Sequence, residues 1–220
     1  GEDEHHGDGE GEHEGDGDHE DTEHEGDAEH EDADHEGDGD HEHEGDHEHE
    51  HGAQDPHIWT DPLAMRDVVL ALGPVLEQAG IAVGDGADEL ADELVGLDAT
   101  VTDILAVVDD EDRKLVTGHR SLGYFADRYG FALVGTVIPS LSTSGEPTAR
   151  ELAQLIDDIG ANGVTAVFTE VGTPRSVAEA VASDSSVELV TLSTSQLPVG
   201  GTYQDLIVEI ATTVAAALST

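Results

Sequence analysis

The feature that most limits how this chain can fold is where its apolar residues lie. The first 51 residues contain nothing able to start a core except Ala28 and Ala33. They repeat Gly-Asp, His-Glu and Glu-Gly in changing order, as in HEHEGDHEHEH from His41 to His51. Such a segment cannot bury enough apolar area to offset the entropy of ordering its backbone, so residues 1–52 are expected to be a disordered acidic, His-rich tract when metal-free. Everything that can build a core lies in the remainder of this 220-residue chain.

Past the boundary at Gly52 to Asp55, periodicity becomes readable. Asp61 and Pro62 form a helix start, an N-cap followed by proline at the first helical position, and Leu63, Val68, Val69, Leu72, Val75 and Leu76 recur on one helical face. Gly73-Pro74 is expected to bend or break that helix. A second helix fits Ala87 to Val108, with Leu90, Leu94, Leu97, Val101, Ile104 and Leu105 in register. At 1.5 Å per residue it would span about 33 Å, the length of a strut between domains.

From Lys114 the pattern alternates. KLVTG, FALVGTVI, TAVFTEV and VELVTLS read as strands, separated by amphipathic helices RSLGYFADRYG, ARELAQLIDDIGA and SVAEAVASD, and the chain closes on helix YQDLIVEIATTVAAALS. Continuous apolar strands between amphipathic helices imply an α/β fold with a parallel sheet covered on both faces. Ligands of such sheets sit beyond the strand carboxyl ends, where this sequence delivers His119, Glu170 and Ser193 to Ser195.

Charge narrows the partners. The chain carries 52 acids and 7 basic residues; 26 acids lie in residues 1–51 and every basic residue follows them, giving −26 for the tract and −19 for the body. That field draws cations and repels nucleic acid and anionic membranes. With Lys114 as its only lysine, the body also resembles proteins adapted to molar salt, where the Debye length falls to about 3 Å. No cysteine is present, so disulfides and thiolate metal sites are excluded, and no apolar run approaches the roughly 20 residues of a membrane span.

Of 14 histidines, 12 lie in the tract and two, His57 and His119, in the body. Both body histidines stand at corners leading into a helix, and imidazole nitrogen suits zinc. Each could equally be a polar residue with no ligand. Trp59 could shield a site at His57 or simply anchor a core. Glu170 could be a direct carboxylate ligand, an acceptor that orients an imidazole, or a plain strand-end residue, and Asp205 reads as a helix-start residue. In the tract, His41, His43, His47, His49 and His51 sit beside acids and could collect metal weakly at many equivalent places.

DPHIWTDP, then GHRSLGYFADRYGF, LSTSGEPTARELAQLIDDI, VFTEV and a terminal TYQDLI helix together resemble the zinc and manganese substrate-binding proteins of ABC importers, over essentially all of residues 53–220. The resemblance implies two β/α lobes joined by a long helix with metal in the cleft between them. Residues 53–86 would end the amino-terminal lobe, 87–110 would be the interlobe helix, and 111–220 a complete carboxy-terminal parallel β/α lobe. Most of the amino-terminal lobe, with a signal segment, a membrane anchor and a first histidine ligand, would precede Gly1. His57 and His119 would be the second and third histidine ligands, and Ser195 stands where some members carry an aspartate ligand. Arg120 departs from the small or acidic residue often found after the third histidine. Loss of the aspartate favours Zn2+ over Mn2+, which prefers oxygen anions.

The function expected is capture of a divalent metal on the extracellular or periplasmic face by a monomer that delivers it to a membrane permease. Binding should weaken as pH falls below about 6.5, the reference pKa of imidazole, because ligand nitrogens must be unprotonated. Two rivals remain: a metal-dependent hydrolase with an open zinc site, for which no H-E-x-x-H signature is present, and an extracellular zinc buffer working through the His-rich tract.

Overall fold

The structure is a computed structural model that describes residues 55–140, 146–170 and 174–219. The acidic tract and its twelve histidines, including His41, His43, His47, His49 and His51, lie outside the described residues. A 3-10 turn over Ile58–Thr60 leads into α1 (Pro62–Gln78) and α2 (Gly86–Leu105). Then β1 (Lys114–Thr117), α3 (Gly123–Tyr129), β2 (Ala132–Thr136), α4 (Ala149–Asn162), β3 (Ala166–Glu170), α5 (Arg175–Ser185), β4 (Glu188–Leu192) and α6 (Tyr203–Leu218) alternate to the end.

The four strands form one parallel sheet in the order β2-β1-β3-β4, as the continuous apolar runs require. Successive side chains leave a strand on opposite faces, and the core divides accordingly. Leu115, Ala166 and Phe168 pack with Leu97 and Val101 of α2, Phe125 of α3 and Ile207 and Ile210 of α6. Val116 and Val167 point the other way, to Leu155 and Ile159 of α4 and Val181 of α5. The result is a helix–sheet–helix sandwich. Because β1 leads outward to β2 while the next crossover returns to β3, the carboxyl ends of β1 and β3 flank the point where the winding reverses, which is where open α/β sheets bind ligands.

Helix starts follow local chemistry. Asp61 caps α1 by accepting from the Leu63 and Ala64 amides, with Pro62 behind it. Thr148 with Glu151 and Thr202 with Asp205 form capping boxes on α4 and α6, so Asp205 is held at a helix start.

Three expectations are corrected. The Gly73-Pro74 step does not break α1, which runs through to Gln78. Gly73 is buried there, and a Cβ on it would stand 3.2 Å from the Ala87 Cβ, so close packing against α2 holds the helix past its missing N–H. Second, α2 stops at Leu105, because Ala106 and Val108 turn back three residues, to the Asp103 and Leu105 carbonyls. Third, α3 begins at Gly123, not near Arg120. The Arg120 amide bonds the Ser140 carbonyl and the Ser121 amide the His119 carbonyl, leaving residues 119–122 as a tight bend.

Within α2, Leu94, Leu97, Val101 and Leu105 are buried as their spacing predicts, and Arg128 of α3 clamps Asp98 with two hydrogen bonds, Nε to Oδ1 at 2.7 Å and Nη2 to Oδ2 at 2.5 Å. That hydrogen bond also raises the Arg128 pKa above its ordinary value, against a lowering by burial. The apolar face of α1 fares differently. Val68, Leu72 and Val75 are 40–58% exposed, since α2 covers only one side of the helix, and a groove of about 300 Å³ runs between the two. No helix among the described residues is long and apolar enough to cross a membrane.

Candidate metal centre

The register of β1 against β3 pairs Thr117 with Phe168, so two residues further on the chain sets His119 across from Glu170. The two meet there: His119 Nδ1 lies 2.5 Å from Glu170 Oε2, and the other carboxylate oxygen, Oε1, accepts from the Ser121 hydroxyl. All three residues are buried. The bend holds its own shape, with the Thr117 hydroxyl donating to the His119 carbonyl at 2.6 Å.

His57 arrives from the other side on the 3-10 turn before α1. Asp55 Oδ1 accepts from the His57 backbone amide at 2.9 Å and lies 2.7 Å from His57 Nδ1. The His57 carbonyl accepts from the Thr60 amide and hydroxyl, closing the turn. Trp59 is packed edge-on to His57 with ring centroids 5.2 Å apart. Its indole N–H donates to the Thr194 carbonyl at 2.8 Å, and the Tyr203 hydroxyl donates to the Trp59 carbonyl at 2.9 Å.

His57 Nε2 and His119 Nε2 are 3.3 Å apart, the rings tilted 64° to one another. Each ring faces a carboxylate through Nδ1. A neutral ring that donates to this carboxylate carries its proton on Nδ1 and has an outward lone pair on Nε2. Two lone pairs aimed at each other repel unless a cation lies between them. Two nitrogens bound at about 2.0–2.1 Å to one zinc ion at the tetrahedral angle stand about 3.3–3.4 Å apart, which matches the observed spacing.

The remaining candidates separate. Glu170 turns its oxygens to His119 Nδ1 and Ser121, on the far side of the His119 ring from Nε2. Ser195 is exposed in the loop after β4. Among the described residues no group of three or more histidines or acids is gathered tightly enough to hold an ion, so what they contribute is the pair His57 and His119. Sequence reasoning passed over Asp55, Ser121 and Tyr203, and placed Thr194 at a strand end without giving it a role. The first two stand two residues from a histidine, a spacing that could have flagged them, whereas the last two join the site only through tertiary contact.

Known proteins resemble this chain in sequence and in fold. The curated zinc uptake protein ZnuA of Paracoccus denitrificans is 29% identical over 158 residues, 68% of this chain and 47% of that protein. The manganese-binding lipoprotein MntA of Bacillus subtilis is 28% identical over 107 residues, 49% of this chain and 34% of its own length. This chain therefore spans less than half of either relative. Among solved structures, the periplasmic zinc-binding protein TroA of Treponema pallidum superposes with a TM-score of 0.64 at 26% identity, covering 76% of this chain and 64% of that one. The family model described as zinc-uptake complex component A, periplasmic, matches residues 12–217, and the chain belongs to that family of metal-binding proteins of ABC importers.

Proposed function

We propose that this chain captures Zn2+ outside the cytoplasm between His57 Nε2 and His119 Nε2 and passes it to the permease of an ABC importer. The family is one of non-enzymatic metal-binding proteins, and the metal is cargo with no reaction performed on it. One observation carries the reading: two Nε2 atoms at 3.3 Å, each backed through Nδ1 by a carboxylate. A carboxylate behind a ligating imidazole fixes its tautomer and strengthens it as a donor.

The relatives include zinc and manganese proteins. Zinc is favoured here because the converging donors are neutral nitrogens and the loop after β4 offers Ser195 in place of an acid. Water or a carboxylate, with a histidine of an amino-terminal lobe, would complete a tetrahedral set. The two lobes would close slightly about α2, and Glu170 would act as the acceptor that orients His119. The His-rich tract would gather metal loosely.

Trp59 is the sole tryptophan and touches His57, so an emission change that depends on His57 and His119 reports this site. Titrating the full chain with Zn2+ should give a saturable emission change that His57→Gln and His119→Gln each abolish. An identical titration in both variants would overturn the proposal.

A further inference from the structure

We infer that Trp59 is a positioning residue for the metal site, the tie that holds the His57 turn at ligating distance from His119. The inference rests on the reading of His57 and His119 as ligands. The bonds that shape the turn are local. Asp55 and Thr60 reach His57 from two and three residues away, and they define a rigid hook without saying where the hook stands relative to the sheet.

Two hydrogen bonds of long sequence separation carry the hook onto the β4–α6 end of the sheet, and both run through Trp59. Its indole donates to the Thr194 carbonyl and its own carbonyl accepts from Tyr203 Oη, across 135 and 144 residues. Thr194 is buried at the end of β4, and Tyr203 is the first residue of α6. Burial, with Asp61 adding to it, raises the Tyr203 phenol above its ordinary range, so it remains a protonated donor at neutral pH.

The spacing of two imidazole nitrogens round one ion tolerates little drift, since a shift of about 1 Å takes one ligand out of bonding range. A hook free to swing would return to that spacing only part of the time, and affinity falls by the fraction of time spent away from it. Trp59 removes that freedom in advance. It also links His57 to the loop carrying Ser195, so His57 and that loop shift together.

Trp59→Phe keeps an aromatic ring against His57 but removes the indole N–H. The test measures zinc release from the full chain into excess chelator, alongside melting of the metal-free and zinc-loaded chain. Loss of one such bond should speed release from the slow, His119-dependent site about two- to tenfold and lower the zinc-loaded melt more than the metal-free melt. A merely structural role would lower both melts equally and leave release unchanged, which overturns the inference. Tyr203→Phe cuts the other bond of the same tie and carries the test if Trp59→Phe does not fold. His119→Gln separates the failures: if it leaves the slow phase intact, the metal-site reading is wrong; if it abolishes the slow phase while Trp59→Phe and Tyr203→Phe do not alter it, the positioning inference alone is wrong.

Discussion

Replacing Glu170 by glutamine separates charge from shape at the proposed metal centre. Glutamine can still accept from His119 Nδ1 through its amide oxygen, while the Ser121 hydroxyl can rotate to accept from the amide nitrogen, so the buried geometry survives. What disappears is the negative charge. With Oε2 at 2.5 Å from Nδ1, an ion bonded to Nε2 on the opposite edge of the ring lies about 6.5 Å from the carboxylate. A charge of two against a charge of one at that separation is worth about 5 kcal/mol at an effective dielectric of 20 and about 1 kcal/mol in water. A buried carboxylate beside a partly open site falls between these limits, so zinc affinity should drop about 10- to 100-fold. Stability of the metal-free chain should move the other way or hardly at all. Two charge-assisted bonds weaken by about 1 kcal/mol each, and the desolvation cost of a buried carboxylate, several kcal/mol, is relieved. The assay is competition against a chromogenic chelator followed by Trp59 emission, with His119→Gln as the baseline and thermal melts in parallel. Zinc affinity within twofold of the parent, in a variant that melts normally, would refute the idea that Glu170 strengthens His119 as a ligand.

Three further outcomes concern glycines and capping carboxylates. A Cβ at Gly123 would stand 2.9 Å from Asp55 Oδ2, so Gly123→Ala should displace the carboxylate behind His57 and weaken zinc binding several-fold by the same competition assay, with a smaller effect on melting. Gly96, exposed inside α2 with open space around it, is the contrasting case: Gly96→Ala should stabilise the chain by about 0.5–1 kcal/mol and raise its melting temperature by about 1–4 °C without touching metal binding. Glu151 and Asp205 titrate below their ordinary values of 4.5 and 3.8, chiefly because each accepts the backbone amide of its N-cap threonine and secondarily the threonine hydroxyl. A lowered carboxylate pKa stabilises the fold above the ordinary value and stops doing so as pH falls through the lowered one. The difference in melting temperature between the parent and the double variant Glu151→Gln, Asp205→Asn should therefore be full at pH 7 and vanish at acid pH below the ordinary carboxylate range.

The α/β class was legible because strands and helices have different periods. Four apolar runs bounded by amphipathic stretches could only be parallel strands with covered faces, and the alternation of Leu115 with Val116 and of Val167 with Phe168 divides the core between two helical layers, as parallel pairing demands. Local chemistry also marked Asp61 and Asp205 as helix-start residues, because capping depends on residues within three positions. Element ends were less legible. Pro74 reads as a breaker by its own chemistry, yet close packing of Gly73 against α2, a contact between elements, carries α1 past it. The burial of α1 was illegible for the same reason: periodicity identifies an apolar face but not what covers it, and Val68, Leu72 and Val75 stand exposed.

At the site, the division follows the same physics. The sequence by itself determined which residues of the body could offer an imidazole to a divalent ion, since only two stand outside the tract and both sit beside strand or helix ends. Only the tertiary structure decided that those imidazoles face each other at 3.3 Å, because that distance depends on the order of four strands and on a turn fastened 135 residues away by Trp59. It also decided the orientation of Glu170, whose oxygens are aimed by His119 and Ser121 across 51 and 49 residues. Ligand chemistry is a property of single side chains and can be read from a list of residues. Ligand geometry is set by contacts between segments distant in sequence, and it exists only once the sheet has formed.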